Sequence, residues 1–352
     1  LVERGAAARL WTLKPMISPL IWTSVATGLN PDVHGILDFM SAASVDGRPV
    51  PVTSADRRAP ALWNIFSSAG LKVGSVAWWA TWPAESVNGV IVSDRVAYQL
   101  GEFGGDPGEG LVSPPDAWEW LSAERIDEGD IGYETISGFI HISYREYEDA
   151  INSRDGYENP VVHLRRLLAS SLSYHRMTLA TLRRVQPDVM FTYLEGTDTI
   201  AHLFAPFAPP RREFVDQESF AKYRDAVGRY YEFADDLLGE LIEEVGQDAD
   251  VVVCSDHGFA WGADRPREAS GTNTPTAAWW HRDPGVLVMA GPGFRTVGVR
   301  EDAHILDLAP TFLHLAGLPA GERMPGNVMD WALGDRGQDE DRENLDYVTL
   351  ID

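Results

Sequence analysis

Three near-continuous apolar runs, each with a histidine close by, constrain the fold of this chain more than any other feature. The runs are Val189–Leu194, Val251–Cys254 and Val286–Ala290. Short apolar runs separated by helical patterns predict parallel central strands, covered on both faces and joined by crossover helices. Asp198-Thr199-Ile200-Ala201-His202 follows the first run, Ser255-Asp256-His257-Gly258 follows the second, and His281 precedes the third. Open α/β sheets present ligands just beyond the carboxyl ends of their strands. An Asp and a His four residues apart share one helical face and can reach a single cation. Each group alone also fits a plain role: a polar turn, a helix-start Asp with a core histidine, a loop histidine. Taken together, Asp198, His202, Asp256, His257 and His281 form a carboxylate–imidazole donor set suited to zinc-like ions.

The chain has 352 residues, 29 basic against 53 acidic, for a formal charge of −24. Such a balance argues against a nucleic-acid polymer or an anionic membrane as partner, because both select a basic face. It is compatible with a small anionic substrate only where bound cations reverse the local sign. The single cysteine, Cys254, lies inside an apolar run and reads as a small hydrophobe in a strand; an intrachain disulfide is impossible. No stretch approaches the roughly 18 apolar residues of a membrane span.

A serine supplies the next element. In Ile17-Ser18-Pro19-Leu20-Ile21-Trp22-Thr23-Ser24-Val25-Ala26-Thr27-Gly28, Ser18 reads as a helix N-cap, Pro19 as the first helical residue and Gly28 as the stop. A hydroxyl there would meet a phosphate held by free amides at the helix start. No neighbouring His or Lys offers itself as a base, so a metal ion would have to activate it. Further helices are expected over Ala59–Ala69, His163–Val185, Phe220–Val245 and Leu306–Ala316, and further strands over Val73–Trp79 and Val90–Ser93. Residues of about 98–159 break the rhythm and read as a helical cap inserted in a single domain spanning 1–352, with a surface tail after about 332. Leu1-Val2-Glu3-Arg4-Gly5 reads like the end of a helix with a glycine stop.

These pieces resemble the type I phosphodiesterase/nucleotide pyrophosphatase branch of the alkaline phosphatase superfamily. The resemblance rests on Ser18-Pro19 through Thr27-Gly28 with His34-Gly35-Ile36, on Asp198-x-x-x-His202, on Ser255-Asp256-His257-Gly258, on His281-x-x-x-Gly285, and on Asp307 through Pro319 with Pro325-Gly326. It implies a three-layer α/β/α sandwich with a mostly parallel sheet. It also implies two divalent metals, zinc first and manganese as the alternative. Asp198, His202 and His281 would hold one metal; Asp256, His257 and Ser18 would hold the other, with Ser18 as nucleophile through a covalent phospho-serine.

Members also place an Asp from their first strand on the second metal. No equivalent precedes Ser18, so that strand is expected upstream of Leu1, and the compartment, cytoplasm or export, stays open with it. The implied activity is hydrolysis of a small phosphate ester, monoester or diester. A mutase or phosphotransferase of the same superfamily and a metal-stabilised binding module are the alternatives; a sulfatase is disfavoured because Ser18-Pro19-Leu20-Ile21-Trp22 lacks its spacing of Pro and Arg. Trp78 to Glu85 could wall a pocket or pack a core. Arg57 and Arg58 could clamp a phosphate, though a solvated pair before a helix is the plainer reading.

Overall fold

The computed structural model describes residues 1–45, 48–97, 109–153, 159–267 and 276–334. Its strands in chain order are β1 (Gly5–Trp11), β2 (Met40–Val45), β3 (Arg48–Pro51), β4 (Val73–Val76), β5 (Gly89–Val92), β6 (Val112–Ser113), β7 (Val189–Thr192), β8 (Val251–Cys254), β9 (Gly258–Phe259), β10 (His281–Arg282), β11 (Gly285–Ala290) and β12 (Gly298–His304). The helices are α1 (Ser18–Thr27), α2 (Pro31–His34), α3 (Leu62–Ser68), α4 (Trp118–Leu121), α5 (Tyr133–Ser137), α6 (Tyr144–Ile151), α7 (Pro160–Val185), α8 (Gly196–Phe204), α9 (Gln217–Tyr223), α10 (Ala226–Val245) and α11 (Leu308–Leu315).

Two four-stranded sheets carry the fold, in the orders β12-β1-β11-β8 and β6-β5-β4-β7. In the second sheet β4 runs parallel to both β5 and β7, as the crossover pattern predicts. The first is mixed: β11 is antiparallel to β1 and β8, while β12 is parallel to β1. One apolar core joins both sheets to α1, α3 and α11, with Leu10, Ile21, Trp63, Ile91, Leu287 and Leu308 essentially inaccessible.

Several expectations need correction. β7 and β8 pair on one side only among the described residues, so they are sheet edges, and all four residues of β8 are only half-covered. Their continuous apolar character overstated their burial. Leu1–Gly5 does contain a helical turn, Val2–Arg4, but Gly5 has φ −153° and opens β1. A side chain at Gly5 would strike the Met289 carbonyl across the β1–β11 pair, so glycine serves close strand approach there and not a helix stop. β1 was missed because Ala6-Ala7-Ala8 carries little strand propensity. The helix expected over Phe220–Val245 is split into α9 and α10, and the Lys222 carbonyl accepts from the His141 amide, outside the helix ladder.

The expected cap does not stand apart. Ile131, Ile136, Ile140 and Tyr147 pack with Leu164 and Leu168 of α7, Ile200 of α8 and Tyr230 of α10 in a second core. Part of that cap, and the tail from 335 onward, lie outside the described residues. α7 starts three residues earlier than its apolar pattern indicated because Asn159 caps it, accepting from the Val161 amide at 3.0 Å. Cys254 sits on β8, and burial pushes its thiol pKa up to about 12, so it behaves as the hydrophobe the sequence indicated.

The turn after α1 is closed by His34, which is fully buried. Its Nδ1 accepts the Ile36 amide hydrogen at 3.2 Å, leaving Nε2–H to donate to Ser24 Oγ at 2.9 Å. The Ile36 bond needs the neutral ring, because a protonated Nδ1 cannot accept. Burial first, and then the Arg57 charge, lower its pKa from 6.5 to about 4. Stability from this group is therefore complete above pH 6.5 and is lost as pH falls toward about 4, where the unfolded chain binds the proton that the native ring refuses. The loss across that window should be on the order of 3 kcal/mol. Urea unfolding of the wild type and of His34→Gln at the two ends of the window should show the variant with a visibly flatter acid limb.

Candidate metal centre

The carboxyl ends of β7 and β8 point their following segments at one another, and the candidate ligands meet between them. Asp198 and His202 ride on α8 after β7, one helical turn apart. Asp256 and His257 occupy the turn between β8 and β9, and His281 opens β10, which pairs with β9 so that His281 stands opposite Phe259. Gly196 starts α8 where a Cβ would overlap the Tyr230 hydroxyl, which fixes how closely α8 approaches α10.

Asp198 Oδ1 is the hub. It lies 3.4 Å from His202 Nε2, 3.6 Å from His281 Nε2 and 3.8 Å from His257 Nε2. His257 Nε2 is in turn 3.6 Å from Asp256 Oδ2. Asp198, His202 and His281 each offer one ligand atom within 4.8 Å of the others, the spacing of a three-ligand cation site. His202, Asp256, His257 and His281 are all buried.

The donors are oriented as metal ligands are. His281 Nδ1 lies 2.9 Å from the Met16 carbonyl and His257 Nδ1 lies 3.0 Å from the Gly258 carbonyl. A carbonyl can only accept, so both rings carry hydrogen on Nδ1 and turn an Nε2 lone pair inward. His202 Nε2 stands 3.0 Å from His281 Nε2, and the His257 and His281 rings stack with centroids 3.6 Å apart. Asp198 Oδ1, Asp256 Oδ2 and His257 Nε2 are buried without a hydrogen-bond partner. Buried acceptors such as these three are costly without donors, and a divalent cation resolves that cost. The residues therefore fit zinc-like ions, His and Asp being its ordinary ligands.

The electrostatics divide the two carboxylates. Burial pushes Asp198 up, but His202, His257 and His281 outweigh it and hold its pKa below the usual range. Asp256 is raised, chiefly by burial and further by Asp198, against the pull of His257 and of a hydrogen bond from Ser18. His281 is lowered to about 4 by burial and by the charge of His257. His257 is raised, since Asp256 and Asp198 overcome its burial.

Ser18 is brought to this cluster, but not as a cap. Ile17 occupies the N-cap position in extended geometry, and Ser18 is the first residue of α1. Its hydroxyl is thus free of capping and bonds the Asp256 carboxylate. Arg57 and Arg58 are not at the cluster. Arg57 is buried, paired with Glu85 at 2.6 Å and stacked over Trp63, so it is neither a phosphate clamp nor a solvated residue. His141 and His175 pair with Asp225 and Glu240, away from the ligands. Two features escaped the sequence reading. Tyr193 follows β7, and its buried phenol faces the charges of Asp256, Glu195 and Asp198. The Met16 carbonyl orients His281 through backbone, which no residue pattern marks.

The α/β fold is that of the alkaline-phosphatase-like proteins. Wild-type alkaline phosphatase PafA superposes with a TM-score of 0.58 at 11% identity, over 95% of this chain and 93% of that one. The chain belongs to the type I phosphodiesterase / nucleotide pyrophosphatase family, whose model matches residues 1–293. It is also similar to murine ectonucleotide pyrophosphatase/phosphodiesterase 5 in complex with AMP (TM-score 0.48, 12% identity, 95% and 92% covered). The phosphonoacetate hydrolase of Sinorhizobium meliloti 1021 matches at 22% identity with a TM-score of 0.39, over 74% of this chain; the chain spans 50% of that protein's length. No curated protein matches the sequence. No described helix is long and apolar enough to cross a membrane.

A cation held by this cluster should add its binding energy to folding. Zinc at about a thousand times its Kd should stabilise the chain by about 4 kcal/mol, read as a rise in thermal midpoint. His202→Ala should abolish most of that rise.

Proposed function

We propose that the protein is a metal-dependent hydrolase of small phosphate esters that works through a phospho-serine on Ser18. The observation that carries this reading is the Ser18 hydroxyl bonded to Asp256, beside the unpartnered buried atoms Asp198 Oδ1, Asp256 Oδ2 and His257 Nε2. Asp198, His202 and His281 would hold one divalent ion; Asp256, His257 and the Ser18 oxygen would hold a second. When bound, such ions supply positive charge that lowers the serine pKa and stabilises the oxygens of an in-line displacement.

The chain's own groups do the rest. Asp256 orients Ser18 Oγ and accepts its proton. Ser18 Oγ then forms the bond to phosphorus while the bond from phosphorus to the leaving alcohol oxygen breaks, and that oxygen takes the proton from Asp256. Water next attacks the phospho-serine, releasing phosphate or a phosphomonoester and restoring the hydroxyl. His202, His257 and His281 are buried, which strengthens each electrostatic contact they make. Family membership supports phosphoester chemistry, and the −24 charge supports a small substrate over a nucleic-acid polymer.

Ser18→Ala should keep its metal by elemental analysis and lose on the order of 10³-fold or more in turnover of a chromogenic phosphodiester or phosphomonoester. Wild-type-like turnover in that variant would remove Ser18 from the mechanism. Phosphate delivered to an added alcohol or sugar in preference to water would instead favour a phosphotransferase.

A further inference from the structure

Three non-glycine residues among those described have positive φ, and two of them lie in one turn beside the site. They are Ala77 (65°) and Ala80 (55°), in the segment that leaves the carboxyl end of β4; the third is Gln186. An L-residue with a Cβ adopts this region at a cost and stays there only where its surroundings over-determine it.

The surroundings are those of Asp94, only 2% exposed and outside the metal cluster. The Ala80 amide donates to Asp94 Oδ2 at 2.9 Å and the Trp82 amide donates to Oδ1 at 3.1 Å. The Asp94 amide donates to Thr81 Oγ1 at 3.1 Å, and that hydroxyl donates to the Trp78 carbonyl at 2.5 Å. The Tyr174 hydroxyl fixes the Asp94 carbonyl at 2.8 Å. Arg95, stacked 3.9 Å over Trp82, supplies the countercharge.

What the turn presents is aromatic, and it reaches the site from two sides. Trp78 Nε1 donates to the Trp22 carbonyl of α1 at 3.0 Å, and the two indoles meet edge to face at 5.1 Å. α1 is the helix that begins with Ser18. Trp79 lies against Tyr193 at 6.4 Å and under Phe39 at 5.4 Å, and Tyr193 also meets Trp22 at 5.1 Å. Burial first, and then the charges of Asp256 and Asp198, raise the pKa of the Tyr193 phenol.

We propose that Asp94 is a positioning residue for the phosphoester site: by holding the strained Ala77–Trp82 turn, it sets Trp78 against the helix of Ser18 and Trp79 against Tyr193. This rests on the hydrolase reading, because the groups being aligned are those assigned to it. An uncharged asparagine shows why the carboxylate is required. It keeps the shape, but its NH2 must face one of the two amide donors, so one anchor of the turn is lost.

The test uses the zinc-loaded full chain. Asp94→Asn should bind zinc as the wild type does, lower kcat for a nitrophenyl phosphodiester at least tenfold, move KM less than threefold, and alter the near-ultraviolet circular dichroism of the tryptophans. Ala80→Gly added to that variant should recover threefold or more of kcat, since glycine takes positive φ without strain. Leu164→Ala, which hollows the second core, serves as a control; it should lower the melting temperature and leave kcat within twofold. Kcat within twofold of wild type in Asp94→Asn, no recovery from Ala80→Gly, or an equal loss in Leu164→Ala would each overturn the proposal. If Asp94→Asn does not fold, Thr81→Val takes its place and should lower kcat several-fold; unchanged kcat overturns. If the wild type turns over no phosphoester, the hydrolase reading fails separately. Asp94 is then judged by the affinity for inorganic phosphate and by the tryptophan dichroism, and both unchanged in Asp94→Asn would overturn its role.

Discussion

The candidate site is organised around one buried carboxylate oxygen, Asp198 Oδ1, which three imidazole nitrogens approach within 3.8 Å. Two of those rings have their other nitrogen tied to a backbone carbonyl and so turn lone pairs inward. Acceptors packed against acceptors are unfavourable in a low-dielectric interior unless a cation lies among them. Two larger features can be traced to that arrangement. α8 follows β7 closely enough to deliver Asp198 and His202, and β9 pairs with β10 so that His257 and His281 stack.

The Ser18 segment meets the same constraint from the opposite side. The hydroxyl of Ser18 is available because the helix start is formed by the backbone of Ile17 and needs no side-chain cap. Asp256, raised by burial and by Asp198, is the group it bonds. The Met16 carbonyl, two residues before Ser18, holds His281, so the approach to α1 also orients a ligand of the other half of the cluster. Ser18 and the candidate ligands are thus mechanically connected and not merely near one another.

Aromatic packing extends the connection outward. Trp22, Trp78, Trp79 and Tyr193 form a continuous cluster of edge-to-face and tilted contacts between α1 and the ends of β4 and β7. Rings in such arrangements resist sliding, so displacing one moves the others. The Asp94 anchor acts on this cluster, which is how a residue without contact to the ligands comes to bear on them.

By itself the sequence determined the α/β class and the family, and it nominated six candidate site residues that the fold brings near one another, because residue type at a strand end is a local property. Apolar runs announce strands, Asp-x-x-x-His announces one helical face, and Asp-His-Gly announces a turn that presents side chains. The fate of the neighbours could not be read locally. β1 and β12 were missed, β7 and β8 proved to be half-covered edges, and Arg57 turned out to be a buried partner of Glu85. Strand order, burial and ring tautomer depend on contacts between segments far apart in the chain. The same holds for the Asp94 turn, whose two alanines carry no sign of positive φ in the sequence. Only the packing of β4, β7 and α1 against one another creates the strain, and only there does a carboxylate hold it.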